Sequence, residues 1–330
     1  MKENIEKLWK LINTSNKILL INHIRMDMDA FWSLSAMYDI LKQLWKNVRA
    51  INDELPLASY AFTWYNQIIE PDLDINNFNP ELIISFDAAS LDQLWNSYKD
   101  NINIFNNTDF FVIDHHRTNP WFGKINIINP EYSSTCELTY DILNQLNMIK
   151  YITPKIATSL ISWIYTDTNI FYNSNTTSNT HYVTWKLLEA WADFRKPYFE
   201  FYKKKTFEQS KLWWEVLANK MKISENWKVV WATIPESLFK KVWAEDRQLT
   251  WLISEFFANI EWVEICFISH EIKWNLVKTS FRSTPNYDTS MLASFFWWWW
   301  HKQAAGFSSK KTLKEVEKEI LEKIKKEFNL

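Results

Sequence analysis

Lys17-Ile-Leu-Leu-Ile-Asn-His-Ile-Arg-Met-Asp-Met-Asp29 opens as an unbroken apolar run and ends as a polar loop. A short apolar run without alternation fits a strand covered on both faces. Residues 3–14 before it and 30–44 after it have helical periodicity, and Val48–Asn52 reads as the next strand. Leu82-Ile-Ile-Ser-Phe-Asp87 and Phe110-Phe-Val-Ile-Asp114 repeat the pattern, each ending on a carboxylate. Strands alternating with helices mean a parallel α/β sheet. Ligands of such sheets collect beyond the carboxyl ends of the strands, where His23, Asp87 and Asp114 all fall.

Farther along, helices are expected at 135–148, 153–165 and near 180–190. A charged, aromatic stretch at 191–215, including Lys203-Lys-Lys205, reads as a helical connector. Strand-like runs follow at Trp227–Ile234, Glu261–Ser269 and Trp274–Arg282, and a Lys/Glu-rich amphipathic helix spans 311–327. The expected fold class is α/β. A parallel-sheet domain with helices on both faces covers 1–190, a connector 191–215, and a smaller α+β domain 216–330, with the active site in the cleft between the domains.

A hydrophobic content of 47% with 23% charge describes an ordinary globular chain, and a net charge of −2 excludes a broad electrostatic nucleic-acid footprint. Cys136 and Cys266 are too few and too far apart for a disulfide framework or zinc cluster, and fit buried thiols in a reducing cytoplasm. Neither a secretory signal nor a membrane-length apolar run stands out, so a cytoplasmic location with no membrane partner is expected. Glycine usage is anomalous. A chain of 330 residues would ordinarily hold roughly 23 glycines, whereas this one has 2, alongside 21 tryptophans. We expect most tryptophans to stand where the natural protein carries glycine, as when a codon its host reads as glycine is translated as tryptophan. Trp45 and Trp191 each follow an amphipathic helix where a left-handed glycine cap belongs.

His23, Asp27 and Asp29 place one imidazole and two carboxylates on a loop at a strand end, a set suited to hard divalent cations such as Mn²⁺ or Mg²⁺. Alone they fit a solvated polar turn better. Asp87 and Asp114-His115-His116 reach the same sheet edge, and Asp167, between two threonines at a helix end, adds another carboxylate. Four aspartates and two or three histidines suit two cations sharing one carboxylate. Such pairs hydrolyse phosphate esters by acidifying a water and neutralising phosphate oxygens.

The pattern HxxxDxDAxxS from His23, the strand-end Asp87, DHHxxN from Asp114, Ser133-Ser-Thr-Cys-Glu137 and Thr166-Asp-Thr168 resembles the DHH phosphoesterase superfamily. A closing GGGGHxxAAG, with tryptophan written for each glycine of the run, resembles its DHH-associated C-terminal domain. Within the superfamily the chain is most similar to the short bacterial oligoribonucleases (nanoRNases) that also act as phosphatases on 3′-phosphoadenosine 5′-phosphate. The resemblance implies that His23, Asp27 and Asp87 hold one metal and that Asp29, Asp87, His115 and Asp167 hold the other, with Asp87 bridging. Two divalent cations are implied, Mn²⁺ first and Mg²⁺ as the alternative. His116 would face the substrate phosphate, and Asp114 would orient a histidine. Arg282, Ser283, His301 and the backbone at Trp298, Trp299 and Trp300, read as glycines, would bind substrate. Trp32 matches a family glycine where a side chain would crowd the metal loop. Asn119 and Ser133–Glu137 fit structural support, although Ser134 and Thr135 fit a plain helix cap as well.

The implied activity is a two-metal phosphodiesterase degrading very short oligonucleotides to mononucleotides, with 3′-phosphoadenosine 5′-phosphate as a further substrate. A soluble cyclic or linear dinucleotide phosphodiesterase is the alternative within the superfamily, and a homodimer is left open. From another class comes a non-catalytic single-strand binder stacking bases on the tryptophans at 213–214 and 297–300. His181 and His270 match no metal motif and read as surface or satisfied structural residues.

Overall fold

The computed structural model describes residues 1–330 apart from 57, 64, 66, 250, 273–275 and 295–301. The chain divides into two units, Met1–Lys204 and Lys205–Leu330, so residues 191–204 belong to the first and 205–215 to the second.

The first unit holds β1 (Lys17–Asn22), β2 (Asn47–Ile51), β3 (Leu82–Phe86), β4 (Asp109–Asp114) and β5 (Ile125–Ile128). They form one sheet in the order β2-β1-β3-β4-β5, every pairing parallel. Ile18, Leu19, Leu20 and Ile21 are all fully buried. That is why β1 shows no alternation in sequence: both of its faces are covered. Leu19, Ile21, Ile83 and Val112 pack with Ile75, Leu94 and Phe105, and the intervening Leu20, Ile84 and Phe111 are equally buried. Each such side chain contributes about 1.5–3 kcal/mol through apolar area removed from water. Sequential strands lie on opposite sides of β1, so the strand order reverses between β1 and β3. In a parallel sheet that reversal opens a crevice at the carboxyl ends, and these two strands end immediately before His23 and Asp87.

In the second unit β6 (Met221–Ile223), β7 (Val229–Ile234), β8 (Ile265–Ile272), β9 (Leu276–Ser283) and β10 (Ala304–Ser309) form a sheet in the order β10-β9-β8-β7-β6. Only β7 and β8 pair in parallel. Alternation is visible here: Val230, Ala232, Ile234, Cys266 and Ile268 face one apolar cluster, and Val229, Trp231, Ile265 and Phe267 face another. The helix Leu313–Phe328 buries Val316, Ile320 and Ile324, four residues apart, against the second of these. Thr312 and Glu315 start it with a reciprocal capping box.

Four sequence expectations need correction. The expected helix at 153–165 is two pieces, Pro154–Ile161 and Trp163–Thr166, and β5, β6 and β10 were not foreseen. Trp32 is fully buried among Phe31, Tyr60, Phe62 and Phe201, with its indole N–H directed at Thr63 Oγ1, instead of crowding a loop. His270 is neither a surface residue nor satisfied: it is buried, and its Nδ1 has no hydrogen-bond partner among the described residues. Burial pushes its pKa down to about 4, so the ring is neutral in the folded protein.

Candidate metal centre

Asp27 ends the loop after β1 and caps the helix Met28–Gln43, accepting from the Ala30 amide. That cap fixes the first helical turn and with it Asp29, which is fully buried. Both Asp29 carboxylate oxygens accept backbone amides from the start of another helix, Thr135 N at 2.6 Å and Cys136 N at 2.8 Å. The amide donors are the unpaired N–H groups of that helix's first turn, where an anion is favoured. Ser134 caps the same helix through Glu137 N, so this segment both caps and supports. Glu137 is itself fully buried and accepts from Ser133 N, Asn179 and Thr180.

Asp87 follows β3 with a left-handed backbone, φ 56°, a conformation that aspartate tolerates better than most residues. Its amide donates to Ile113 O at 2.9 Å, continuing the pairing with β4. Its two oxygens face different groups: Oδ2 is 3.8 Å from His23 Nε2, and Oδ1 is 3.6 Å from His115 Nε2. His23 Nε2 is also 3.8 Å from Asp27 Oδ1. His115 Nε2 is 3.8 Å from both Asp29 Oδ2 and Asp167 Oδ2. These separations are too long for hydrogen bonds. They suit donor atoms that would share a cation, with each bond at roughly 2.0–2.3 Å. His23, Asp27 and Asp87 make one potential ligand group and Asp29, His115 and Asp167 another. Ring nitrogens on the far sides face carbonyls, His23 Nδ1 at 2.8 Å from Ile24 O and His115 Nδ1 at 3.4 Å from Tyr132 O. A proton on each Nδ1 leaves the Nε2 lone pairs for the centre.

Asp114, at the end of β4, is occupied on both oxygens: Oδ1 by His116 Nδ1 at 2.7 Å, Oδ2 by Asn119 at 2.7 Å. It orients His116. His116 Nδ1 is also 3.6 Å from Asp87 Oδ1.

Asp167 sits at the end of the short helix Trp163–Thr166, with Thr166 Oγ1 donating to its Oδ1 at 2.8 Å. The backbone beyond it, Asn169, Ile170 and Phe171, is left-handed at three successive positions. The Asp167 carbonyl accepts from the side chains of both Asn173 and Asn175. The sequence reading missed Asn173, Asn175 and the two amides on Asp29. Any residue supplies an amide, so no residue type marks such a position.

Charges in the cluster are unbalanced. Burial, then the neighbouring Asp27 charge, raises the Asp29 pKa to about 6. Burial and the neighbouring carboxylates push Asp87 and Asp167 well above the usual carboxylate range. For Asp27 burial acts in the same upward direction, but the neighbouring His23 imidazole outweighs it and holds the group below its ordinary value. Burial likewise opposes ionisation of Asp114 and His116, and their mutual hydrogen bond overrides it, lowering the acid and raising the base. A cation set is the physical remedy for several buried carboxylates at one point.

Arg282 and Ser283 belong to the second unit. Arg282 is on β9 of the second unit, where Nε donates to Ser254 Oγ and Nη1 to Phe281 O, and burial holds its pKa below the usual value. Ser283 Oγ donates to Tyr287 O. His301, Trp298, Trp299 and Trp300 lie outside the described residues.

Comparison with known proteins agrees with this geometry. Residues 17–164 match the model of the DHH family, N-terminal domain. The bifunctional oligoribonuclease and PAP phosphatase NrnA of Mycoplasma genitalium is 28% identical over 205 residues, 59% of this chain and 59% of that protein's length. The protein of the same name from Thermus thermophilus is 37% identical over 76 residues, 23% of each. A crystal structure of an exopolyphosphatase-related protein from Bacteroides fragilis shares the fold, with a TM-score of 0.89 at 21% identity over 98% of this chain and 97% of that one. No helix among the described residues is long and apolar enough to cross a membrane. The strand-end carboxylates, the Asp114-His115-His116 motif and the matched region agree: residues 17–164 carry a DHH family N-terminal domain.

Proposed function

We propose that this chain is a two-cation phosphodiesterase that degrades very short oligonucleotides to mononucleotides and removes phosphate from 3′-phosphoadenosine 5′-phosphate. The observation that carries the reading is Asp87, whose two oxygens face separate imidazoles at 3.8 and 3.6 Å. His23, Asp27 and Asp87 would hold one cation, and Asp29, Asp87, His115 and Asp167 the other, with Mn²⁺ the favoured ion and Mg²⁺ the alternative. Bound there, the cations would supply Lewis-acid polarisation of the phosphate and acidify a water.

The protein's own residues do the remainder. Asp114 holds the His116 Nδ1 proton at 2.7 Å, which turns Nε2 outward as the group able to protonate a leaving oxygen or neutralise a phosphate oxygen. The Thr135 and Cys136 amides favour the anionic form of Asp29 against its burial. Thr135 Oγ1 donates to Asp87 Oδ1 at 2.8 Å and limits its rotation. Arg282, Ser283 and the 298–301 segment are assigned to substrate phosphate and base, in a domain that follows the catalytic one. The relatives' name, oligoribonuclease and PAP phosphatase, supports this substrate class.

The test is a substrate panel with Mn²⁺: pApA, pGpG, a short oligoribonucleotide, 3′-phosphoadenosine 5′-phosphate, cyclic dinucleotides and pyrophosphate. Mononucleotide release from the linear substrates and phosphate release from 3′-phosphoadenosine 5′-phosphate are expected. Faster turnover of a cyclic dinucleotide or of pyrophosphate would assign the site a different substrate.

A further inference from the structure

Sixteen described residues other than glycine have a φ between 45° and 79°, and eight of them are tryptophan: 45, 95, 121, 191, 227, 243, 251 and 262. In that region an L side chain crowds its own backbone, so glycine dominates, asparagine follows, and a bulky residue is an outlier. Asparagine supplies four of the sixteen, as that rule predicts, while neither glycine in the chain has a positive φ. Gly123 and Gly306 serve glycine's other use, close approach: a Cβ would come within 2.7 Å of Val112 Cγ2 at one and of Thr279 O at the other. The whole class of left-handed glycine is missing, and tryptophan stands in it.

Local hydrogen bonding identifies what those positions require. After the helix ending at Gln43, Trp45 N donates to Lys42 O and Lys46 N to Leu41 O. After Glu189 the same pair recurs as Trp191 N to Leu188 O and Ala192 N to Leu187 O, and after Val242 as Trp243 N to Lys240 O and Ala244 N to Phe239 O. This is the Schellman closure, whose left-handed residue is ordinarily glycine. Where the Thr135–Gln145 helix ends, an identical closure is made by Asn147. The three indoles are 92%, 82% and 87% exposed, so packing does not account for them. Trp95 has φ 48° and ψ −133°, a combination that a side chain strongly disfavours. By contrast Trp163 and Trp213 lie in helices, buried, with their indole N–H groups bonded to Ser133 and Gln248.

We propose that these eight positions are glycine in the native protein, and that the tryptophan written there represents a codon that the host reads as glycine. Tandem mass spectrometry of the protein isolated from the cell that encodes it is expected to find glycine at all eight; tryptophan at any of them overturns the proposal. A second measurement needs no native material. The chain with all eight changed Trp→Gly is expected to melt more than about 10 °C above the chain as written. Changing the same eight Trp→Ala removes the indoles but keeps every Cβ, and is expected to recover only a minor part of that shift. Equal gains from alanine and glycine would overturn the backbone argument.

A separate observation concerns Asn175, on the reading that Asp167 is a ligand. Its Nδ2 donates to the carbonyls of both Asp167 and Ser133, each at 3.1 Å. Ser133 directly precedes the Ser134-capped helix whose amides hold Asp29. We infer that Asn175 is a positioning residue tying Asp167 to the support of Asp29, so that both carboxylates meet one cation in register. Asn175→Ala is expected to raise the Mn²⁺ concentration giving half-maximal thermal stabilisation about tenfold, with the melting temperature in chelator unchanged. If Asp167→Asn fails to move the Mn²⁺ midpoint, the ligand reading fails. If Asp167→Asn moves it and Asn175→Ala does not, the positioning role alone is overturned.

Discussion

Replacing Asp87 by asparagine is expected to lower turnover of 3′-phosphoadenosine 5′-phosphate at saturating Mn²⁺ by at least about a thousandfold, equivalent to ~4 kcal/mol of transition-state stabilisation. The substitution suits the backbone, because asparagine tolerates the left-handed φ of 56° as well as aspartate does. It removes the one carboxylate that faces both His23 and His115, and places an amide N–H₂ where one imidazole lone pair already points. The same change has the opposite sign for stability. In chelator, Asp87→Asn relieves a buried carboxylate whose pKa is pushed up by burial and by Asp29, so its melting temperature is expected to exceed that of the parent. Turnover above a tenth of the parent's would sink the two-cation reading. A lower melting temperature in chelator would show that Asp87 stabilises the fold by another route.

Without metal, the protein is expected to lose stability as pH rises from 4 to 7. Asp29 has a folded pKa of about 6 against an ordinary 3.8. A carboxyl with a raised folded pKa favours the fold while protonated. Its contribution is present in full below pH 3.8 and is lost as pH climbs through 6, amounting to about 3 kcal/mol. Asp87 and Asp167 are shifted in the same direction and add to the loss. Asp27 and Asp114, held low by their histidines, act oppositely and matter only at more acid pH. Mn²⁺ should reverse the trend, since an ion at a hundred times its dissociation constant stabilises by about 2.7 kcal/mol per site. Melting curves with chelator and with Mn²⁺ across this range check it, together with calorimetry at pH 6 in two buffers to detect proton release on binding. A chelated protein equally stable at pH 4 and pH 7 would contradict the crowding of charge described above.

The carboxyl-end placement of His23, Asp87 and Asp114 was readable because a doubly covered strand leaves an unbroken apolar run, and Lys17–Asn22 and Leu82–Phe86 both do. Three strands left no such trace. Met221–Ile223 is exposed throughout, Ala304–Ser309 is built mostly of small residues, and Ile125–Ile128 is only four residues long. Donors on Asp29 come from main chain, and the clamp on the Asp167 carbonyl comes from asparagines that read as an ordinary polar loop. His270 shows a different limit: periodicity can bury a residue without revealing whether its ring finds a partner.

The centre draws on residues from His23 to Asp167, and its last carboxylate lies after all five strands of the first sheet. During synthesis, which proceeds from the N-terminus, the ribosome must extrude that whole sheet before the final acidic group emerges. An unfinished chain halted anywhere before residue 167 would therefore lack part of the cage.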